Sequence, residues 1–188
     1  MLTSIKTNAT YEDLYHIPEN MIGEIIDGEL YVMPRPAPKH CNTASSLGIV
    51  IGYYYKIGMN GGTGGWWILD EPEIHFSDLK EDFIVPDIAG WKKEKMFDLP
   101  KETYFSIPPD WVCEILSPGT ATHDRKKKLP KYAKFGVTHF WIVDPTNKTV
   151  EILKLKNGEY VVLEVYGEND KMRTEPFTEI LIDLINIW

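Results

Sequence analysis

The stretch PDWVCEILSPGTATHDRKKKLPKYAKFGVTHFWIVDP, residues 109–145, decides the fold. It reads as a buried strand, a basic helix and a second buried strand. Residues 110–116 are mostly Trp, Val, Cys, Ile and Leu, with one carboxylate, Glu114, near the end. Burying an unpaired charge costs on the order of several kcal/mol, so an acid in such a run needs a cation or a proton. The competing reading is a strand-end glutamate that points to water. Thr120 or Thr122 can cap the helix, and Gly136 should end it. At about 100° per residue, Leu129, Tyr132, Ala133 and Gly136 form the packed face. Lys127, Lys131 and Lys134 then point to water, and Lys126 and Lys128 fall on the two borders. Pro130 removes one helix hydrogen bond and should kink or divide the helix near Lys126. Residues 139–143 are a nearly continuous apolar strand, closed by Asp144-Pro145.

Upstream, FIVPDIAGW (83–91) reads as another apolar strand with a single carboxylate, Asp87. WWILDEPEIHF (66–76) reads as a strand in which Pro72 marks a bulge or an edge. Between these and the decisive stretch, 92–107 is a polar excursion with a short helix expected near 93–97. Nearer the N-terminus, Thr10 and Asp13 fit the cap and third positions of a short helix over 10–17, ended by Pro18. EIIDGELYVM (24–33) carries Asp-Gly between two apolar runs, a strong hairpin signal. Pro34, Pro36 and Pro38 make an extended connection. Residues 40–59 turn helical, with Leu47, Val50, Ile51 and Tyr54 on one side, until a cluster of glycines breaks the pattern. Downstream, 149–155 and 160–166 follow as a meander with turns at Thr146-Asn147 and Asn157-Gly158. The tail, 177–188, has helical periodicity and should pack back on the core. The order predicts an α/β fold with a mixed central sheet flanked by helices, an N-terminal hairpin and a C-terminal meander, in a single domain over 1–188.

The chain of 188 residues is long enough for a real core, and 43% apolar content is ordinary for a folded protein. No uninterrupted apolar run is long enough for a membrane span. The N-terminus lacks a basic region followed by an apolar one, so a cytoplasmic location is the expectation. Cys41 and Cys113 form no metal spacing, and Cys113 reads as a small core residue. The net charge of −8 disfavours binding a polyanion through overall charge. A local basic face is still available, because Arg125, Lys126, Lys127, Lys128, Lys131 and Lys134 cluster.

Two apolar strands thus carry one acid each. Asp87 and Glu114 are 114 − 87 = 27 residues apart, enough for neighbouring strands with an excursion between them. If the strands are adjacent, the carboxylates can meet at one sheet edge. Close carboxylates repel, so either one holds a proton or a divalent cation sits between them. Oxygen ligands favour Mg²⁺ or Mn²⁺ over Zn²⁺. Such a cation beside a lysine suits phosphodiester hydrolysis.

A resemblance sharpens this. VPD (85–87) followed by EIL (114–116) resembles the PD-(D/E)xK nuclease superfamily. EIIDGELYVMP (24–34), PDI (86–88), PDWVCEILSPGT (109–120), the Asp-Lys-Tyr-Gly-Val series of the helix and FWIVDP (140–145), in that order, are similar to the Uma family of restriction endonucleases. The similarity runs from about residue 24 to the C-terminus. It implies a restriction-endonuclease-like fold and a metal-dependent endonuclease acting on DNA. It also implies Asp87 and Glu114 as Mg²⁺ or Mn²⁺ ligands, helped by Glu73 and the Ile115 carbonyl. The sequence departs from the superfamily at Leu116, where the lysine is expected. The resemblance implies that the lysine has moved onto the helix, at Lys128, four residues after Asp124, and so decides between Lys128 and Lys126. Asp124, Lys128 and Tyr132 then lie one turn apart, where the bland alternative is a surface Asp–Lys pair beside a core tyrosine.

Secondary candidates carry two readings each. Glu73 is a third acid or a solvated strand residue. Glu24 matches a recurrent family acid or is an exposed hairpin residue. His40 faces the site or is structural. Trp66 and Trp67 stack on bases or fill the core. Lys127, Lys131 and Lys134 contact phosphates or form a solvated face. A homodimer is expected because such folds pair to cut two strands. The rival function is a nuclease-fold module that binds nucleic acid or a protein partner without cutting, kept open by Leu116 and the acidic charge. A smaller phosphate ester is a third substrate class.

Overall fold

The computed structural model describes residues 2–77 and 80–188. In chain order come β1 (Ser4–Thr7), α1 (Tyr11–Leu14), β2 (Met21–Ile26), β3 (Glu29–Pro34), α2 (Pro38–Tyr55), β4 (Trp66–Asp70), β5 (Ile74–Ser77) and β6 (Glu81–Ile84). β7 (Ile88–Lys92) and β8 (Trp111–Ile115) precede a helical stretch built of α3 (Ala121–His123), a π-helical segment (Asp124–Lys128) and α4 (Leu129–Lys134). β9 (His139–Asp144), β10 (Thr149–Lys156) and β11 (Glu159–Gly167) form the meander. β12 (Lys171–Met172), β13 (Ile182–Asp183) and a 3-10 turn (Leu184–Asn186) close the chain.

The central sheet has six strands in the order β11-β10-β9-β8-β7-β4. Every neighbouring pair is antiparallel except β8 and β9, which are parallel and are joined by the helical crossover. A parallel pair needs such a crossover, and the basic helix provides it. Side chains alternate along β8 as the period of two requires. Trp111, Cys113 and Ile115 face α2 and the C-terminal tail, in a core with Leu47, Ile51, Tyr55, Trp141, Val143 and Phe177. Val112 and Leu116 face the other way, onto Tyr132 and a second, five-stranded sheet ordered β1-β3-β2-β6-β5. Glu114 shares that second face, under the crossover helix.

The turns follow local chemistry. Asp27 and Gly28 both take positive φ, 56° and 72°, as a tight hairpin turn requires. Thr10 and Asp13 form the expected capping box of α1. Gly136, at φ 77°, ends α4, and Val137 N–H donates to the Tyr132 carbonyl at 3.0 Å.

The structure corrects four expectations. The 66–76 stretch is two strands: β4 belongs to the central sheet and β5 to the other, with Glu71 at φ 45° between them. The 83–91 stretch divides in the same way at Val85-Pro86-Asp87, into β6 and β7. Pro72 and Pro86 have no N–H for a ladder, so the chain changes sheets at each. Residues 93–97 are a turn rather than a helix. The tail packs back as expected, burying Phe177, Ile182, Leu184 and Ile187, but as a short strand and a 3-10 turn.

Pro130 acts where the sequence predicts. It breaks the α-helical ladder one turn earlier, and Leu129 N–H donates instead to the Asp124 carbonyl, five residues back. Two lysines expected in water are engaged instead. Lys131 does not point to water. Its ammonium donates to Asp27 Oδ1 at 2.6 Å and to Asp82 Oδ2 at 2.7 Å, and the Asp82 side chain is fully buried. Lys127 is half-buried, bonded to Glu29. These contacts tie the crossover helix to the β2–β3 hairpin.

Lys131→Ala should therefore cost about 3 kcal/mol, because it leaves the Asp82 carboxylate buried and unpaired. Thermal unfolding of the variant at neutral pH checks this. Burial disfavours the Lys131 ammonium, but Asp27 and Asp82 outweigh it and raise its pKa. Its contribution is complete below the ordinary lysine range and is lost only as pH rises above it. The hydrogen bond from Lys131 lowers Asp27 against the cost of burial. That part is lost as pH falls below the ordinary carboxylate range.

Candidate active site

Strand register brings the two expected acids together. β7 pairs with β8 so that Ile88 faces Cys113. Asp87, the residue before β7, and Glu114 of β8 therefore lie at the same end of the sheet. Asp87 Oδ2 accepts from the Ile115 N–H at 2.6 Å, which fixes the carboxylate across the strand end. Both acids line a single cleft, shared with Glu24, His40, Glu71, Asp124 and Lys128.

The crossover helix delivers Lys128, not Lys126, to this cleft. Lys126 is exposed, whereas Lys128 is buried. The Lys128 ammonium donates to Glu114 Oε2 and to the Val85 carbonyl, each at 3.0 Å, and lies 3.0 Å from Glu24 Oε1. Asp124 Oδ1, one turn back, is 3.9 Å away. One turn further on, the Tyr132 hydroxyl donates to Glu114 Oε1 at 2.8 Å. The π-helical segment, spanning Asp124 to Lys128, sets the phase that points all three groups inward.

Glu24 corrects the exposed-hairpin reading, since its side chain is fully buried. Its Oε1 accepts from Val85 N–H at 2.8 Å, and His123 Nε2 lies 3.3 Å from Oε2. His40, near the start of α2, reaches the cleft from the opposite face, with Nε2 3.1 Å from Asp87 Oδ1. Glu73 is not brought to the cleft. The sheet change at Pro72 carries it away, and its carboxylate accepts from the Tyr11 hydroxyl at 2.8 Å. Glu71 takes the place at the cleft rim instead. Its N–H donates to the Asp87 carbonyl at 3.1 Å. Trp66 is core, and Trp67 is half-buried with its indole N–H donated to the Met96 carbonyl.

Sequence reasoning passed over Glu71 and His123. Glu71 carried a signal, the Glu-Pro pair at a sheet change. His123 carried none, because its partner lies 99 residues away.

The cluster separates its acids electrostatically. Burial pushes Glu114 well above the usual carboxylate range; Lys128 opposes this, and Asp124, Asp87 and Glu24 reinforce it. Burial likewise dominates at Asp124, which is raised to about 6. Glu24 is held below the usual range, because Lys128, His123 and the Val85 N–H outweigh burial. Lys128 stays an ammonium: burial opposes the charge, but the surrounding acids, Glu114 first, raise its pKa. Groups in one pocket with divided proton affinities are a feature of acid–base sites.

The donor set can be tested against a divalent cation. Glu24, Asp87, Glu114 and Asp124 surround one buried ammonium, so carboxyl groups outnumber the lysine in the cleft. Its donors are oxygens, which suit a hard cation. Among the described residues no three His, Cys, Asp or Glu side chains form a ready-made metal cage. Asp87 and Glu114, with the adjoining Ile115 carbonyl, are the oxygens at this end of the sheet that could hold one.

A mixed central sheet with acids at the facing ends of two adjacent strands, and a crossover helix lying over them, defines a protein of restriction-endonuclease-like fold. The chain belongs to the Uma2 family, described as "Putative restriction endonuclease", whose model matches residues 9–184. It is also similar to the crystal structure of "a putative nuclease belonging to DUF820 from Anabaena variabilis ATCC 29413". That match has a TM-score of 0.73 at 24% identity and covers 94% of this chain and 95% of the other. No curated protein matches the chain.

Proposed function

We propose that the protein is a metal-dependent endonuclease that hydrolyses phosphodiester bonds in DNA. One observation carries this reading: a buried lysine ammonium lies against Glu114 in a cleft that Asp87 also lines. Asp87, Glu114 and the Ile115 carbonyl would hold Mg²⁺ or Mn²⁺. When bound, the cation lowers the pKa of a water and neutralises charge on the phosphate. Lys128 orients that water or supports the charge that builds on the phosphate oxygens. Glu24 and the Val85 carbonyl hold the Lys128 ammonium in place, and Tyr132 fixes the Glu114 carboxyl. DNA enters through the family's description and the resemblance, and the −8 charge of the chain argues that contact is local to the cleft.

Supercoiled plasmid and single-stranded DNA, incubated with Mg²⁺, Mn²⁺ or EDTA, test the proposal. Cutting is expected with either metal and should stop in EDTA. Cutting that persists in EDTA, or no cutting of either DNA with both metals, overturns it. A second reading is a module that binds nucleic acid or a protein partner without cutting. It is favoured by the engagement of both Glu114 oxygens by Lys128 and Tyr132. Under that reading, binding survives Asp87→Asn and no metal produces cleavage.

A further inference from the structure

His40 is a buried histidine that the chain's own packing does not account for. It is the third residue of α2 and only 8% exposed, yet its Nδ1 has no hydrogen-bond partner among the described residues. Burying a polar ring atom without a partner costs free energy, and an apolar side chain of similar size would fill the same space without that cost. What the histidine adds is at its other nitrogen, Nε2, which lies 3.1 Å from Asp87 Oδ1.

That contact is not needed to hold Asp87 in place. Its second oxygen, Oδ2, already accepts from the Ile115 N–H at 2.6 Å. Oδ1 is the oxygen left for a cation, and a cation that takes it arrives beside Nε2. Both side chains line the cleft, together with Glu114 and Ile115. Adjacent donors on an octahedral cation with bonds of about 2.1 Å stand about 3 Å apart. The 3.1 Å between Nε2 and Oδ1 therefore suits two donors to one ion as well as it suits a hydrogen bond. In the ligated state Nε2 offers its lone pair and Nδ1 carries the ring's proton.

We propose that His40 Nε2 ligates the cation beside Asp87 Oδ1, so that the site selects a first-row transition ion over Mg²⁺. This rests on the metal-dependent reading of the cleft and names the class of cation. An imidazole nitrogen contributes more to binding a transition ion than to binding Mg²⁺, which holds to oxygen.

Mn²⁺ is the probe, because it shares the octahedral oxygen chemistry of Mg²⁺ and is paramagnetic. Pulsed EPR of Mn²⁺ bound to the full chain should show coupling to a nitrogen nucleus that changes on isotopic labelling of histidine and is absent in His40→Gln. A glutamine amide can keep the hydrogen bond to Asp87 but brings no imidazole. In calorimetric titrations the wild type should bind Mn²⁺ at least about tenfold more tightly than Mg²⁺, and His40→Gln should lose about tenfold in Mn²⁺ affinity while Mg²⁺ stays within about threefold. Circular dichroism and thermal unfolding check that the variant is folded, and the labelled wild type gives the spectroscopic answer without any variant. Bound Mn²⁺ with no histidine coupling, or a histidine coupling that survives His40→Gln, overturns the inference and leaves the metal-dependent reading in place. So does an equal loss of Mn²⁺ and Mg²⁺ affinity in His40→Gln, the mark of a residue that only positions Asp87. No binding of either ion at millimolar concentration overturns both.

Discussion

Lys128→Met should abolish cutting and lower the unfolding free energy by about 3–5 kcal/mol. The two effects have one origin. The Lys128 ammonium lies within 3.0 Å of carboxylate oxygens of both Glu24 and Glu114, and the Asp124 carboxylate is one helical turn away. Removing the cation leaves these acids facing one another at a site where the Glu24 and Glu114 side chains are 0% and 2% exposed. They must then ionise without a partner or take up protons, and either course costs folding energy. For a chain of this size the loss corresponds to a fall of roughly 10 °C in the unfolding midpoint. Lys128→Arg separates the two effects. It keeps the positive charge and should recover most of the stability, but its planar fork cannot reproduce the ammonium's contacts with Glu114 and the Val85 carbonyl, so cutting stays absent. Thermal unfolding beside a plasmid-nicking assay on the two variants reads both quantities. A Lys128→Met protein that cuts at the wild-type rate would remove the lysine from the chemistry.

Asp87→Asn should have the opposite profile, a large loss of activity at little cost in stability. The Asp87 side chain is 19% exposed, and its structural contacts are the Ile115 N–H, which it accepts, and His40 Nε2 at 3.1 Å, within reach of an asparagine as well. An asparagine carbonyl can accept the same hydrogen bond, so unfolding should move by no more than about 1 kcal/mol. What the substitution removes is the negative charge that Asp87 brings to the cleft. We expect cutting to fall by at least about 10²-fold, and calorimetric titration with Mn²⁺ should show binding lost or weakened by a similar factor. Unchanged Mn²⁺ affinity in this variant would mean that the cation, if it binds, uses other donors. Read together, the Lys128 and Asp87 variants distinguish a residue that holds the site together from one that serves only the chemistry.

Much of this site is legible in the sequence because it depends on local periodicity. The apolar run 111–115 marks a buried strand that carries a single acid, and Gly136 and Pro130 mark the end and the break of the helix that covers it. The Asp-Gly turn fixes the hairpin that carries Glu24. What is not legible depends on long-range pairing. Pro72 signals an interruption, but nothing local says that the next strand joins another sheet, and that change is what removes Glu73 from the cleft and puts Glu71 at its rim. The burial of Glu24 comes from Val85 and His123, 61 and 99 residues distant, and no local pattern encodes it. The helical wheel placed Lys131 in water because its partners, Asp27 and Asp82, are 104 and 49 residues away, beyond what a wheel can see.

The most direct measurement is a crystal of the wild-type protein soaked in Mn²⁺ and examined by anomalous diffraction. The account predicts a peak between the Asp87 and Glu114 carboxylates, within ligand distance of the Ile115 carbonyl, with Lys128 still directed into the cleft. No peak at that position under saturating Mn²⁺, or a peak held by other residues, would contradict it.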